Sequence, residues 1–408
     1  MITRRNALRL SLGALAAGVT TAGPAIASSP TKPGPAKACI LLYMAGGASQ
    51  IDTWDPKPGR PTGGEFRSIR TSIPGVHVSE HLPGLARRAS NLAIVRSLSY
   101  REGNHARARY LMHTGFVPAG GARHPGLGSH LHAAQPPGAP LPGNIAIGGP
   151  GHAAGFLGSE HDPFVIGNPS RPVRNIASPL TDDRVDARLA LWESLQDDFA
   201  VGRAPTSVRG HSAVVEQAVR MMRAEELEAF DVDAEPRGVS ERYGPGKFGR
   251  GCLMARRLVE RGVPFVEVQM GGWDTHDNNF ERVAKLSAEL DAGMSALLDD
   301  LNGRGLLEET LVLWMGDFGR TPQINARGGR GHYPRVASAV LAGGGIRGGQ
   351  VVGATDEDGI EVVDRPLSVA DLHRTVHTKL GLDPDDVRMS SGGRPISAVD
   401  GGRVIEEL

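Results

Sequence analysis

Cysteine is nearly missing from this chain: 408 residues carry only Cys39 and Cys252. That excludes a disulfide scaffold and any cysteine-rich zinc or iron–sulfur site. The two thiols either form one bridge or stay separate and buried. Net charge is missing too, with 45 Lys+Arg against 45 Asp+Glu, which argues against the long basic face used for nucleic acid. No stretch approaches the roughly 20 apolar residues of a membrane-spanning helix. What is present is ordinary for a globular protein, with 40% hydrophobic and 22% charged residues. Glycine (55) and proline (29) make up about a fifth of the chain, which predicts many turns. That share stays below the level of about 25–30% that marks disorder. The length suits two or three domains of roughly 150 residues, or one large α/β domain with insertions.

The first residues read as an address. Arg4 and Arg5 precede a short apolar, small-residue run, and Ala25-Ile26-Ala27 forms an A-x-A cleavage site before Ser28. Residues 1–27 are therefore expected to be a twin-arginine signal peptide, although Ala7 stands where that signal usually has an aromatic residue. The expected location is periplasmic or extracellular. The twin-arginine route carries folded proteins, so an ion can be loaded before export. Removing the segment leaves a mature chain with a small acidic excess. Residues 28–37 hold Pro30, Pro33 and Pro35 and read as a linker, leaving 38–408 as one domain.

Within that domain, residues 39–44 form a continuous apolar run ending at Gly46-Gly47, the pattern of a buried parallel strand. Further strands are expected at 92–95, 264–270, 311–315, 337–342 and 350–352. Helices are expected at 104–113, 182–200, 211–230, 286–301 and 369–380. Residues 116–180 are rich in Gly, Pro and His and read as a long surface insertion. Strands alternating with helices argue for an α/β fold with a largely parallel sheet. Such sheets bind ligands beyond the carboxyl ends of their strands.

Chemistry-bearing residues concentrate there. Asp52 follows the first strand and His105 the second. Asp274 and His276 follow the third, and Asp317 and Arg320 the fourth. His332 stands just before another strand. Bland readings compete: Asp274 and His276 as cap and turn residues, Arg320 paired with a surface acid, His105 simply hydrogen-bonded on its helix. His124, His130, His132, His152 and His161 read as solvated loop residues. Residues 343–348 spell G-x-G-x-x-G, but a strand follows instead of a helix, so a glycine turn is expected. Residues 47–51 lack the closing glycine of a nucleophile elbow.

Four motifs together resemble domain-of-unknown-function family 1501, twin-arginine-exported bacterial proteins of alkaline-phosphatase-like fold. They are residues 45–52 with Asp55-Pro56-Lys57-Pro58, Trp273-Asp274-Thr275-His276, residues 316–322, and Ala342-Gly343-Gly344-Gly345. The resemblance runs from Ile40 to Leu408 and implies a three-layer α/β sandwich. The wider superfamily contains phosphatases, sulfatases and phosphomutases with a metal pair and a nucleophile at a helix start. This chain departs from that pattern in three places. His105 stands where Ser, Thr or Cys is usual, Ala45 where a metal-binding Asp is usual, and Asp317-Phe318 where Asp-His is usual.

The resemblance thus implies one divalent metal, zinc or manganese-like, bound by Asp274 or Asp317 with His276 and His332, Asp52 substituting for the missing acid. His105 and Arg320 would face an anion. The expected function is an exported metal-dependent hydrolase of phosphate or sulfate esters. The substrate would be a small anionic ester or glycan, and the one macromolecular partner the twin-arginine export machinery. The alternatives are a non-catalytic periplasmic or surface binding protein with a degenerate hydrolase cleft, and a purely structural exported protein.

Overall fold

All seven side chains of Ala38–Met44 are buried. A strand apolar on both faces belongs at the centre of a parallel sheet covered on both sides, and this one (β1) lies there. The computed structural model describes residues 36–408 except 177, 201–204 and 391. The signal at 1–27 and most of the tract 28–37 lie outside the described residues. The other strands of the main sheet are β2 (Leu92–Leu98), β3 (Asn144–Ile147), β4 (Phe164–Ile166), β5 (Phe265–Met270), β6 (Thr310–Gly316), β7 (Ala337–Ala342) and β8 (Gln350–Val352). Their order across the sheet is β8-β2-β7-β6-β1-β5-β3-β4. β1 pairs in parallel with β5 and β6, and only β7 runs against its neighbours β2 and β6.

The longer helices are α1 (His105–Thr114), α2 (Leu127–Ala134), α3 (Asp182–Ala200), α4 (Pro205–Met222), α5 (Lys247–Glu260), α6 (Asn279–Gly303) and α7 (Val369–Lys379). The pleat of β1 divides the core between them. Ile40, Leu42 and Met44 pack with Leu258 of α5 and Leu290 of α6. Cys39, Leu41 and Tyr43 pack with Leu111 of α1, Leu131 of α2 and Leu372 of α7. The result is the three-layer α/β sandwich with a mostly parallel sheet that the sequence led us to expect. It also separates the thiols: Cys39 and Cys252 are free and buried in opposite layers. Among the described residues, no helix is long and apolar enough to cross a membrane.

Three local expectations change. The stretch 116–180 is not only surface loop, because it supplies β3 and β4 at one edge of the main sheet. Its histidines are not simply solvated: burial holds His130, His132 and His152 down to about 4, so they are neutral at pH 7. Helix α5, unanticipated from the sequence, buries Phe248, Cys252, Leu253 and Leu258 against the sheet.

Helix α7 starts with a complete capping box, in which the Ser368 side chain accepts from Asp371 N–H and Asp371 accepts from Ser368 N–H. Ser368→Ala is expected to cost about 1 kcal/mol, read as a lower urea midpoint with an unchanged slope.

Candidate metal centre

Five loops meet at one rim of the sheet. Four follow the carboxyl ends of β1, β2, β5 and β6. The fifth precedes β7, and because β7 is antiparallel its entry loop lies at the same rim. The loops touch closely at Gly46-Gly47. Gly46 has φ 108° and a Cβ there would lie 2.5 Å from the Asp274 nitrogen. Gly47 has φ 83° and a Cβ would lie 2.5 Å from the Phe318 carbonyl oxygen. No other residue type fits both the backbone and the space.

After β5 the chain alternates: Trp273 and Thr275 are buried, while Asp274 and His276 look outward on one side. Thr275 Oγ1 donates to Asn279 Oδ1 (2.6 Å), which ties the segment to the first turn of α6. After β2, Asn104 caps α1 by accepting from Arg107 N–H, so His105 is the first helical residue. A two-residue ribbon sets His332 opposite Arg320.

The side chains converge. His276 Nε2 lies 2.9 Å from His332 Nε2. Asp274 Oδ1 lies 3.1 Å from His276 Nε2 and 3.3 Å from His332 Nε2. Its other oxygen is 3.4 Å from His105 Nε2. His105, Asp274 and His332 each present one ligand atom within 4.8 Å of the others. Hydrogen bonds fix two of the three rings. His332 Nδ1 donates to the Gly103 carbonyl (2.8 Å), leaving Nε2 with a bare lone pair when the ring is neutral. His105 Nδ1 meets Asp317 Oδ2 at 2.7 Å, and its Nε2 is buried without a partner.

Burial works to raise the Asp274 carboxyl, but the Arg320 hydrogen bond and charge, with His276 and His105, hold it at about 2. His332 lies below the ordinary imidazole value, chiefly through burial. At neutral pH the cluster therefore presents the Asp274 carboxylate and the Nε2 lone pair of His332.

Three expectations need correcting. Asp52 does not join the cluster. It is fully buried, with Arg330 donating to both of its oxygens (2.8 and 2.9 Å) and Asn279 Nδ2 to one (2.8 Å). Arg320 does not face an anion. It is 0% exposed, and its nitrogens donate to the carbonyls of Gly46, Gly47 and Arg330 and to Asp274 Oδ1 (2.6 Å). It braces Asp274 and locks the β1 loop. Asp317 stands behind the cluster, 5% exposed, with both oxygens already accepting from other groups. Tyr43, Gly103 and Arg330 complete the surroundings and were not singled out in the sequence. Arg330 stands two residues before His332, the one signal that could have found it.

No curated protein matches the chain. Solved structures similar to it include Ps i-CgsB in complex with k-i-k-neocarrahexaose (12% identical, 86% of this chain and 73% of that one, TM-score 0.45). Another is the lipoteichoic acid synthase LtaP from Listeria monocytogenes (9% identical, 86% and 73%, TM-score 0.40). A third is the alkaline phosphatase from the Antarctic bacterium TAB5 (12% identical, 86% and 100%, TM-score 0.35). A family described as "Protein of unknown function (DUF1501)" matches residues 36–408, from two residues before β1 to Leu408, and the chain belongs to that family.

Proposed function

We propose that His105, Asp274, His276 and His332 hold one divalent cation, zinc or manganese-like, and that the protein hydrolyses phosphate or sulfate esters there. One observation carries the reading: two imidazole nitrogens, on rings held through Nδ1, face the Asp274 carboxylate at 3.3 and 3.4 Å. The bare nitrogen of His332 points at His276 Nε2 and Asp274 Oδ1, while His105 Nε2, buried and unpartnered, stands beside the second oxygen. A single proton relieves one such contact; a divalent cation satisfies all of them. Imidazole and carboxylate ligands suit zinc and manganese. When bound, such an ion would polarise an ester oxygen and acidify water.

The remaining steps belong to the chain's own groups. Three neutral imidazoles and one carboxylate leave an excess positive charge on a divalent site, which favours an anionic ester. The positive end of α1 begins at His105 and adds to that preference. Arg320 holds Asp274 in place without touching solvent. No hydroxyl or thiol stands at the start of α1, so water is the attacking group.

The expected outcome is tightly bound zinc or manganese in elemental analysis of the folded protein. Turnover of p-nitrophenyl phosphate or p-nitrophenyl sulfate should accompany it, and His276→Ala should lose both. Protein with neither metal nor turnover would overturn the reading. The imidazole at the helix start also favours a second reading, an exported binding protein that captures an anionic ester or glycan without cleaving it. Thermal shift with phosphate, sulfate or vanadate in the absence of turnover would select it. Export rests on residues 1–27 alone, and a route that carries folded protein agrees with an ion loaded beforehand.

A further inference from the structure

We infer that Asp317 is a positioning residue: with Phe318 it fixes the tautomer and ring plane of His105, and it is not itself a ligand. The inference rests on the reading of His105 as a ligand.

Two donors and one imidazole nitrogen converge on this one carboxylate. The Tyr43 hydroxyl donates to Oδ1. The Gly46 N–H (2.9 Å) and His105 Nδ1 (2.7 Å) share Oδ2. The backbone carbonyl of Asp317 accepts from the Tyr100 hydroxyl (2.6 Å). Tyr43 is fully buried, and burial and the neighbouring Asp317 keep its hydroxyl protonated and able to donate. With the Tyr43 hydroxyl donating to one oxygen and the Gly46 N–H to the other, both oxygens are used as acceptors. His105 must then carry its proton on Nδ1 and aim the Nε2 lone pair toward Asp274.

Phe318 completes the constraint. Its ring lies 4.8 Å from the His105 ring at 35° and 4.5 Å from the His332 ring at 37°. The dipeptide therefore sets one ring by hydrogen bonding and flanks two rings by packing. Carboxylates behind metal-binding histidines are a general device for fixing orientation and raising basicity.

The test reads the imidazole nitrogens directly, in chelator-treated protein, by long-range proton–nitrogen NMR, with the His105 signals assigned by their loss in His105→Ala. Wild type is expected to show His105 protonated on Nδ1 only. Asp317→Ala removes the acceptor and should move the proton to Nε2, where Asp274 can accept it. Asp317→Asn should keep the Nδ1 tautomer, its amide oxygen receiving His105 and Gly46 while its NH2 group faces the Tyr43 oxygen. Zinc affinity should fall roughly 10–100-fold in Asp317→Ala and less in Asp317→Asn.

Wild-type His105 protonated on Nε2 would overturn the inference, as would an unchanged tautomer in Asp317→Ala. If Asp317→Ala fails to fold, the wild-type tautomer and its retention in Asp317→Asn still decide. If zinc binds none of these proteins, the metal reading fails, while the nitrogen spectra still report on Asp317.

Discussion

Arg330→Ala is expected to destabilise the protein by about 3–5 kcal/mol, the usual cost of removing one partner from a buried ion pair. Arg330 and Asp52 are both 0% exposed, and the guanidinium makes a fork across both carboxylate oxygens. It also donates to the carbonyls of Thr62 (2.8 Å), Thr321 (3.1 Å) and Pro322 (2.5 Å). Truncation leaves the buried Asp52 with only the Asn279 amide of its three side-chain hydrogen bonds and takes the Arg330 donors from three carbonyls. The loss should appear as a lower midpoint in urea. Asp52→Asn should cost less, since an amide still accepts from Arg330. The double variant Asp52→Leu/Arg330→Met should recover much of the loss, because two apolar groups leave no charge uncompensated. Singles that unfold no earlier than wild type would refute the assignment of this pair as the anchor of the loop that carries His332.

The second large effect is at Asp274. Asp274→Asn should retain the fold while zinc affinity falls by more than the roughly 100-fold seen when outer-shell partners are lost. It removes the only carboxylate among the four proposed ligands but keeps an acceptor for Arg320. Asp274→Ala should lose the metal and also about 1–3 kcal/mol of stability, because the buried Arg320 then loses its carboxylate hydrogen-bond partner. The two variants thus separate ion capture from bracing. They are read by isothermal titration with zinc and by denaturant unfolding of the metal-free protein. Zinc binding by Asp274→Asn at wild-type strength would remove this carboxylate from the ligand set.

The placement of Asp274, His276 and Asp317 at one rim was legible because a parallel sheet sends every strand's carboxyl end there, so residues after each apolar run deserve inspection. His332 reaches that rim for a different reason. It precedes β7, and only the reversed direction of that strand brings it there. Strand direction leaves no mark on an apolar run such as residues 337–342. Asp52 and Arg320 were misplaced because a sequence displays charge but not its partner. Asp52 is neutralised by a residue 278 positions away, and Arg320 spends its donors on backbone carbonyls. Tyr43 sits in a run that reads as pure core, yet its hydroxyl supports Asp317. β3 and β4, of four and three residues, were hidden between glycines and prolines.

The central place of β1 also governs how the chain is born. Cys39 pairs with Phe265 and Ala38 with Thr310, each more than two hundred residues later. At about 5–20 residues per second, a ribosome needs tens of seconds to deliver those partners. Through that interval an apolar strand with two open edges waits in the nascent polypeptide. Efficient production should therefore depend on a holding chaperone during synthesis.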